Sequence, residues 1–225
     1  MGGSATYGAT RARVEDYFDR TATETWERLT SDAPVSRIRQ TVREGRDRMR
    51  QVMLSRLPAD LSGARVLDAG CGAGQMTAAL AARGAEVVAV DLSQQLLGVA
   101  RARLPEEHLA HVEFRAGDML SDDLGQFDHV IAMDSLIYYD RADLTQALET
   151  LAARTRDNVV FTVAPRTAFL MAFWGVGQLF PKSDRSPTMI PHGAKRLSLG
   201  LSGRLDPVER ITSGFYISEC LEYCA

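Results

Sequence analysis

From Arg65 onward, short apolar runs alternate with stretches whose apolar residues recur at helical spacing, and this alternation predicts a parallel sheet covered by helices. The runs are ARVLDAG (64–70), AEVVAVD (85–91), HVEFRAG (111–117), FDHVIAMDS (127–135) and NVVFTVAP (158–165). Between them, helices are expected over Gln75 to Arg83, Ser93 to Leu104 and Arg141 to Thr155. Near the C-terminus VERITSG and FYISECLEY alternate in the two-residue rhythm of a hairpin, which would add antiparallel strands at one edge. The fold class is therefore α/β.

Two regions stand apart from this alternation. Residues 1–60 read as a helical arm in two pieces, about Thr10 to Arg28 and Val35 to Arg56, broken near Ser31, Asp32 and Pro34, and expected over the open end of the sheet. The core domain would then be 61–225, with an insertion at about 166–203. That insertion opens on thirteen almost purely apolar residues, Ala168 to Phe180, followed by a polar, proline-flanked loop. A membrane span needs roughly 20 apolar residues, so the run is either a core helix or the wall of a pocket for a large apolar ligand.

Composition narrows the classes. The 225 residues are 45% hydrophobic and 24% charged, which suits one globular domain. Cys71, Cys220 and Cys224 are too few and too badly spaced for a disulfide framework or a zinc site, so no protein-bound metal is expected. The start MGGSATYGA lacks an apolar secretory segment, and a cytoplasmic location with at most peripheral membrane contact is expected. Between Val35 and Pro58 seven arginines face only Glu44 and Asp47, a basic helix suited to an anionic ligand or to plain solvation. With a net charge of −3 and no interleaving of aromatic and basic residues, nucleic acid is not an expected partner.

Candidate chemistry begins in VLDAGCGAGQMTAAL. Gly70, Gly72 and Gly74 follow a buried strand and precede a helix, so a ligand would meet backbone with no side chain in the way. A dinucleotide fingerprint would want glycine at position 75, which is Gln75. Asp91 ends the next strand, 19 residues after Gly72, where a carboxylate can accept from two ribose hydroxyls. Asp118 follows the third strand, where it could take an adenine amino hydrogen while Met119 packs on the ring.

In this order and spacing the motifs resemble the class I S-adenosylmethionine-dependent methyltransferases. That resemblance implies a Rossmann-like, mostly parallel seven-stranded sheet with helices on both faces. It adds Asp68 as holder of the glycine loop or of the cofactor's amino group, and Leu92 and Met133 as cofactor contacts. VEDYFDRTATETW (14–26), RQTVREGRDRM (39–49), GQFDHVIAMDSLIYYD (125–140), TVAPRTAFLMAFWGVGQLFP (162–181) and GFYISECLE (214–222) together resemble the magnesium-protoporphyrin IX O-methyltransferase family of bacteriochlorophyll synthesis. What this implies is methylation of one porphyrin propionate, with S-adenosylmethionine as cofactor, S-adenosylhomocysteine as product, and magnesium chelatase as a candidate partner for substrate transfer. Some members carry histidine where this chain has Tyr138, so a histidine acid-base role does not carry over.

A carboxylic acid ordinarily titrates near pH 4, so such an acceptor is already ionised at neutral pH and needs no general base. The expected task is aiming, with Tyr17 and Tyr138 as catalytic candidates and Arg43 or Arg46 as forks for a carboxylate. Phe169, Phe173 and Trp174 would line the macrocycle's pocket, and His192 would ligate its magnesium axially. The alternatives are a methyltransferase for another small acid or phenol, and a porphyrin-binding protein without turnover.

Overall fold

The computed structural model describes residues 5–19, 37–167, 170–171 and 187–225. Its elements are α1 (Ala5–Tyr17), α2 (Arg37–Leu54), β1 (Arg65–Ala69), α3 (Gln75–Ala81), β2 (Glu86–Asp91), α4 (Gln94–Arg103), β3 (Val112–Ala116), β4 (Phe127–Ala132), α5 (Arg141–Ala152), β5 (Thr155–Val163), α6 (Ala194–Ser198), β6 (Arg204–Ser213) and β7 (Tyr216–Cys224). The seven strands form one sheet in the order β3-β2-β1-β4-β5-β7-β6. β1 to β5 pair in parallel, and β7 joins β5 antiparallel with β6 outside it. The expected parallel strands and terminal hairpin are both present.

The strands are continuous apolar runs because both faces are covered. On one face Val66, Ile131, Val160 and Cys220 pack with Leu80 of α3, Leu97 of α4, and Met49 and Met53 of α2. On the other, Leu67, Val130, Phe161 and Leu221 pack with Leu144, Leu148 and Leu151 of α5. Met49 and Met53 are fully buried, each contributing roughly 1.5–3 kcal/mol. Thus α2 packs along the sheet face at β6 and β7. The arm helix α1 instead reaches over the carboxyl ends of the strands, where Tyr7 stacks on Tyr139 at 4.7 Å.

Among the boundaries that depart from expectation, three have plain physical reasons. α1 starts at Ala5, ahead of Thr10, because its buried stripe is Tyr7, Thr10 and Val14, only one of which is aliphatic. β6 starts at Arg204, four residues before VERITSG. It is an edge strand whose polar residues face solvent, and Pro207 sits at a register shift, where a missing N–H costs no ladder bond. β4 stops at Ala132, short of Ser135, since Asp134 turns left-handed at φ 57°.

The topology places the site. β1 has β2 on one side and β4 on the other, and the strand order reverses between them. In an open α/β sheet that reversal opens a crevice at the strands' carboxyl ends.

Candidate active site

At the end of β1 the chain doubles back. The N–H groups of Gly70 and Cys71 both donate to the carbonyl of Val90, at 2.8 and 3.0 Å. Gly70 takes φ +83°, and a Cβ there would come within 2.3 Å of the Ser135 Cβ, so the turn admits no side chain. Gly72, at φ +53°, has no atom within 4 Å of where its Cβ would stand. Its backbone faces open space, as a close-approaching ligand requires. Gly72 N–H donates to Asp91 Oδ2 at 2.8 Å and Ser93 N–H to Oδ1 at 2.9 Å. Both oxygens are thereby fixed, yet each keeps a lone pair for a further donor.

Asp68 lies beneath this loop, 1% exposed, accepting from Thr77 Oγ1 at 2.6 Å. Burial pushes its pKa up to about 7, with the Thr77 hydrogen bond opposing and the Asp91 charge adding. Asp91 is also raised by burial, against the hydrogen bonds from Ser93 and Gly72, with Asp19 adding. Two acids drawn upward side by side make a locus where a cationic ligand is stabilised.

Over these residues lies a cleft of about 960 Å³, counting its mouth. Of the sequence-derived candidates it is lined by Asp68, Gly70, Gly72, Asp91, Leu92, Met119, Met133 and Tyr138. Val14 and Phe18 enter from the arm, and Arg46 and Arg50 from α2. Phe18 meets Tyr138 edge-on at 6.4 Å and Tyr17 at 5.2 Å. Burial raises the Tyr138 phenol well beyond its ordinary range, with the Asp134 charge adding and Arg46 opposing. Its hydroxyl therefore stays protonated and can donate.

Five candidates lie elsewhere, Arg43 of α2 among them. Gly74 is at the start of α3 against Ala100 of α4. Tyr17 is half-buried behind Phe18, outside the cleft lining. Asp118 turns towards α1: its Oδ1 accepts from Tyr7 Oη at 2.8 Å and Leu120 N–H at 2.9 Å, and its Oδ2 from Arg11 Nη1 at 2.6 Å. Its neighbours Gly117 and Met119 line the cleft while Asp118 itself does not, and an isolated GDM motif could not reveal the bonds to α1. His192 is no exposed loop residue. It is 4% exposed, and its Nε2 donates to the carbonyl of Tyr139 at 2.9 Å, outside the cleft, so that nitrogen is committed and the axial-ligand expectation has no support here. Phe169, Phe173 and Trp174 lie outside the described residues.

One group escaped sequence reasoning. Asp134, left-handed at the tip of β4, pairs with Arg46 and accepts from Thr162 Oγ1 at 3.1 Å and from Tyr216 Oη at 3.3 Å. Arg50 pairs with Asp47 at 2.6 Å. The signal was an acid directly after a buried strand, but its partners lie 28 to 88 residues away and only folding joins them.

The acidic pair, the open Gly72 backbone and the apolar flank of Leu92 and Met119 fit a ligand carrying a ribose, a positive charge and a flat ring. Among the described residues no cluster is placed to hold a metal ion. Similarity to known proteins agrees with that geometry. A family model described as "Magnesium-protoporphyrin IX methyltransferase C-terminus" matches residues 132–225, and one described as "Methyltransferase domain" matches residues 66–158. The Magnesium-protoporphyrin O-methyltransferase of Rhodobacter capsulatus is 60% identical over 96% of this chain and 97% of its own length. The chain belongs to the magnesium-protoporphyrin O-methyltransferase family. Its counterpart in Synechocystis is 31% identical over 93% of this chain and 94% of its own. A crystal structure of magnesium protoporphyrin IX methyltransferase from Synechocystis with bound SAH superposes with a TM-score of 0.80 at 28% identity, covering 96% of this chain and all of that one. A ubiquinone biosynthesis O-methyltransferase of Acinetobacter baylyi matches more narrowly, 30% identical over 63% of this chain. The fold is that of a class I methyltransferase, and the chain is an S-adenosylmethionine-dependent enzyme.

Proposed function

We propose that the chain methylates one propionate carboxylate of magnesium protoporphyrin IX in the cleft above β1, β2 and β4. The observation that carries the reading is the meeting, in one cleft, of an acidic glycine-opened cradle with an apolar wall bearing Arg46, Arg50 and a protonated Tyr138. When bound, S-adenosylmethionine supplies an electrophilic methyl group on a sulfonium. Gly72 and Asp91 hold the ribose end, Leu92 and Met119 flank the ring, and Asp68 faces the ammonium. Asp118 contributes by fixing α1 through Tyr7 and Arg11, which brings Val14 and Phe18 to the cleft rim.

The acceptor carboxylate is already an anion, so the chain needs to position it and exclude water. Tyr138 donates a hydrogen bond to it, and the arginines of α2 supply a positive approach. Tyr17 acts through Phe18, and Phe169, Phe173 and Trp174 are proposed to complete the macrocycle's pocket. A phenol acceptor would need a base, and the acids of the cleft are placed at the cofactor cradle, as Asp68 and Asp91 are, or paired with Arg46, as Asp134 is. That favours the carboxylate over a quinol-type substrate. A sparingly soluble macrocycle suits direct transfer from magnesium chelatase in the cytoplasm. No described helix is long and apolar enough to cross a membrane.

The test incubates the protein with S-adenosylmethionine and either magnesium protoporphyrin IX or a phenolic quinone precursor, and examines products by mass spectrometry. A porphyrin monomethyl ester with no phenol ether is expected. Phenol ether alone would replace the reading. Tight porphyrin binding with no ester would make the chain a carrier.

A further inference from the structure

Behind the wall of the cleft lies a second concavity of about 640 Å³, lined in part by Arg141, Arg166 and Arg196. The wall is thin. The Ile190 N–H donates to the Ile137 carbonyl at 2.8 Å, and His192 Nε2 to the Tyr139 carbonyl at 2.9 Å. Tyr138 and Tyr139 face the cleft on one side, while Ile190 and His192 face the concavity on the other.

The three arginines come from the start of α5, the tail of β5 and α6. Elsewhere in the fold arginines meet acids, as Arg46, Arg50, Arg56 and Arg210 do. These three guanidiniums are exposed and have no carboxylate or hydrogen-bond acceptor among the described residues. Asp140, the acid near them, is used as the N-cap of α5, accepting from Asp143 N–H at 2.9 Å. Three cations without a partner among the described residues, on one concavity in a chain of net charge −3, form a site for an anion.

We infer that Arg141, Arg166 and Arg196 hold the propionate that is not methylated. The macrocycle then straddles the wall of residues 137–139 and 190–192, with its reacting propionate in the cleft. This rests on the functional reading above. Its physical basis is that both propionates leave the same edge of the ring, so a ring whose reacting propionate enters the cleft brings the second carboxylate to the adjoining surface, where these cations attract it. Arg46 and Arg50 are already paired with Asp134 and Asp47. Guanidinium forks accept a carboxylate in a fixed plane, so the site also orients the ring. Because the ring is asymmetric, holding one propionate determines which other one meets the methyl.

The experiment is a cycle between protein and ligand. Wild type, Arg166→Gln and the triple variant Arg141→Gln/Arg166→Gln/Arg196→Gln are titrated with magnesium protoporphyrin IX and with its mono-acid analogue, in which an ethyl group replaces the non-reacting propionate. Binding is read from porphyrin emission. Arg166→Gln should weaken the di-acid about tenfold and leave the mono-acid nearly unchanged, and wild type should prefer the di-acid by a similar factor. In turnover, wild type should give one monomethyl ester and the triple variant a mixture of both. Affinity for S-adenosylhomocysteine within about twofold of wild type reports an intact fold in each variant. Equal affinity of wild type for the two ligands, or an equal loss for both in the variants, overturns the inference. Binding without ester formation in wild type would strike the functional reading alone, since the binding cycle still decides this site.

Discussion

Asp68 is a carboxyl placed where water cannot reach it, and its chemistry follows from that. Its raised pKa means that the folded protein keeps a proton which the unfolded chain releases near pH 4. This group therefore costs stability as pH climbs from about 4 to about 7, and the cost is fully present above that. Asp68→Asn retains the volume and an acceptor for Thr77 Oγ1 without the charge. Relative to wild type, the variant should gain on the order of 3 kcal/mol in ligand-free stability between pH 5 and pH 8, read by urea denaturation. A difference that does not change with pH would mean that Asp68 is not protonated near neutrality. The aspartates at strand ends were legible in the sequence because their spacing is local. Asp134 was not, because Arg46, Thr162 and Tyr216 give it meaning and stand far off in the chain.

At the scale of elements, the parallel strands were legible because a strand buried on both faces must be apolar throughout, and the hairpin because its outer strand alternates. β6 began early because RLDP carries little apolar signal at an exposed edge. α1 is held by aromatic and polar contacts, Tyr7 on Tyr139 and Asp118 and Arg11 on Asp118, that no periodicity encodes. Its docking should therefore depend on Asp118. Asp118→Ala leaves the Tyr7 hydroxyl without its acceptor and removes the partner of Arg11, at a cost of about 1–3 kcal/mol to arm docking. Limited proteolysis within residues 5–19 should accelerate roughly tenfold or more while cleavage in the core stays slow. Unchanged proteolysis, with cofactor affinity lost instead, would return Asp118 to the adenine role that its motif suggested.

In the whole molecule, the strand order sets one crevice above β1, the acids of β1 and β2 make one end of it cationophilic, and α1 and α2 wall the other. The sequence motifs pointed to the cofactor end, since a glycine loop and strand-tip acids are local patterns. The proposed substrate end is assembled from residues 14, 18, 46, 50 and 138, which no local pattern groups. The acids of the cleft, Asp68, Asp91 and Asp134, are committed to the cofactor cradle or to Arg46, and the account rests on no base being needed. The direct test is the single-turnover rate with magnesium protoporphyrin IX at saturating cofactor across pH. With an acceptor ionised far below neutrality and Tyr138 protonated throughout, the rate should stay level from about pH 6 to about pH 9. A rate that climbs about tenfold per pH unit through neutrality would reveal a base in the transfer step and contradict the account.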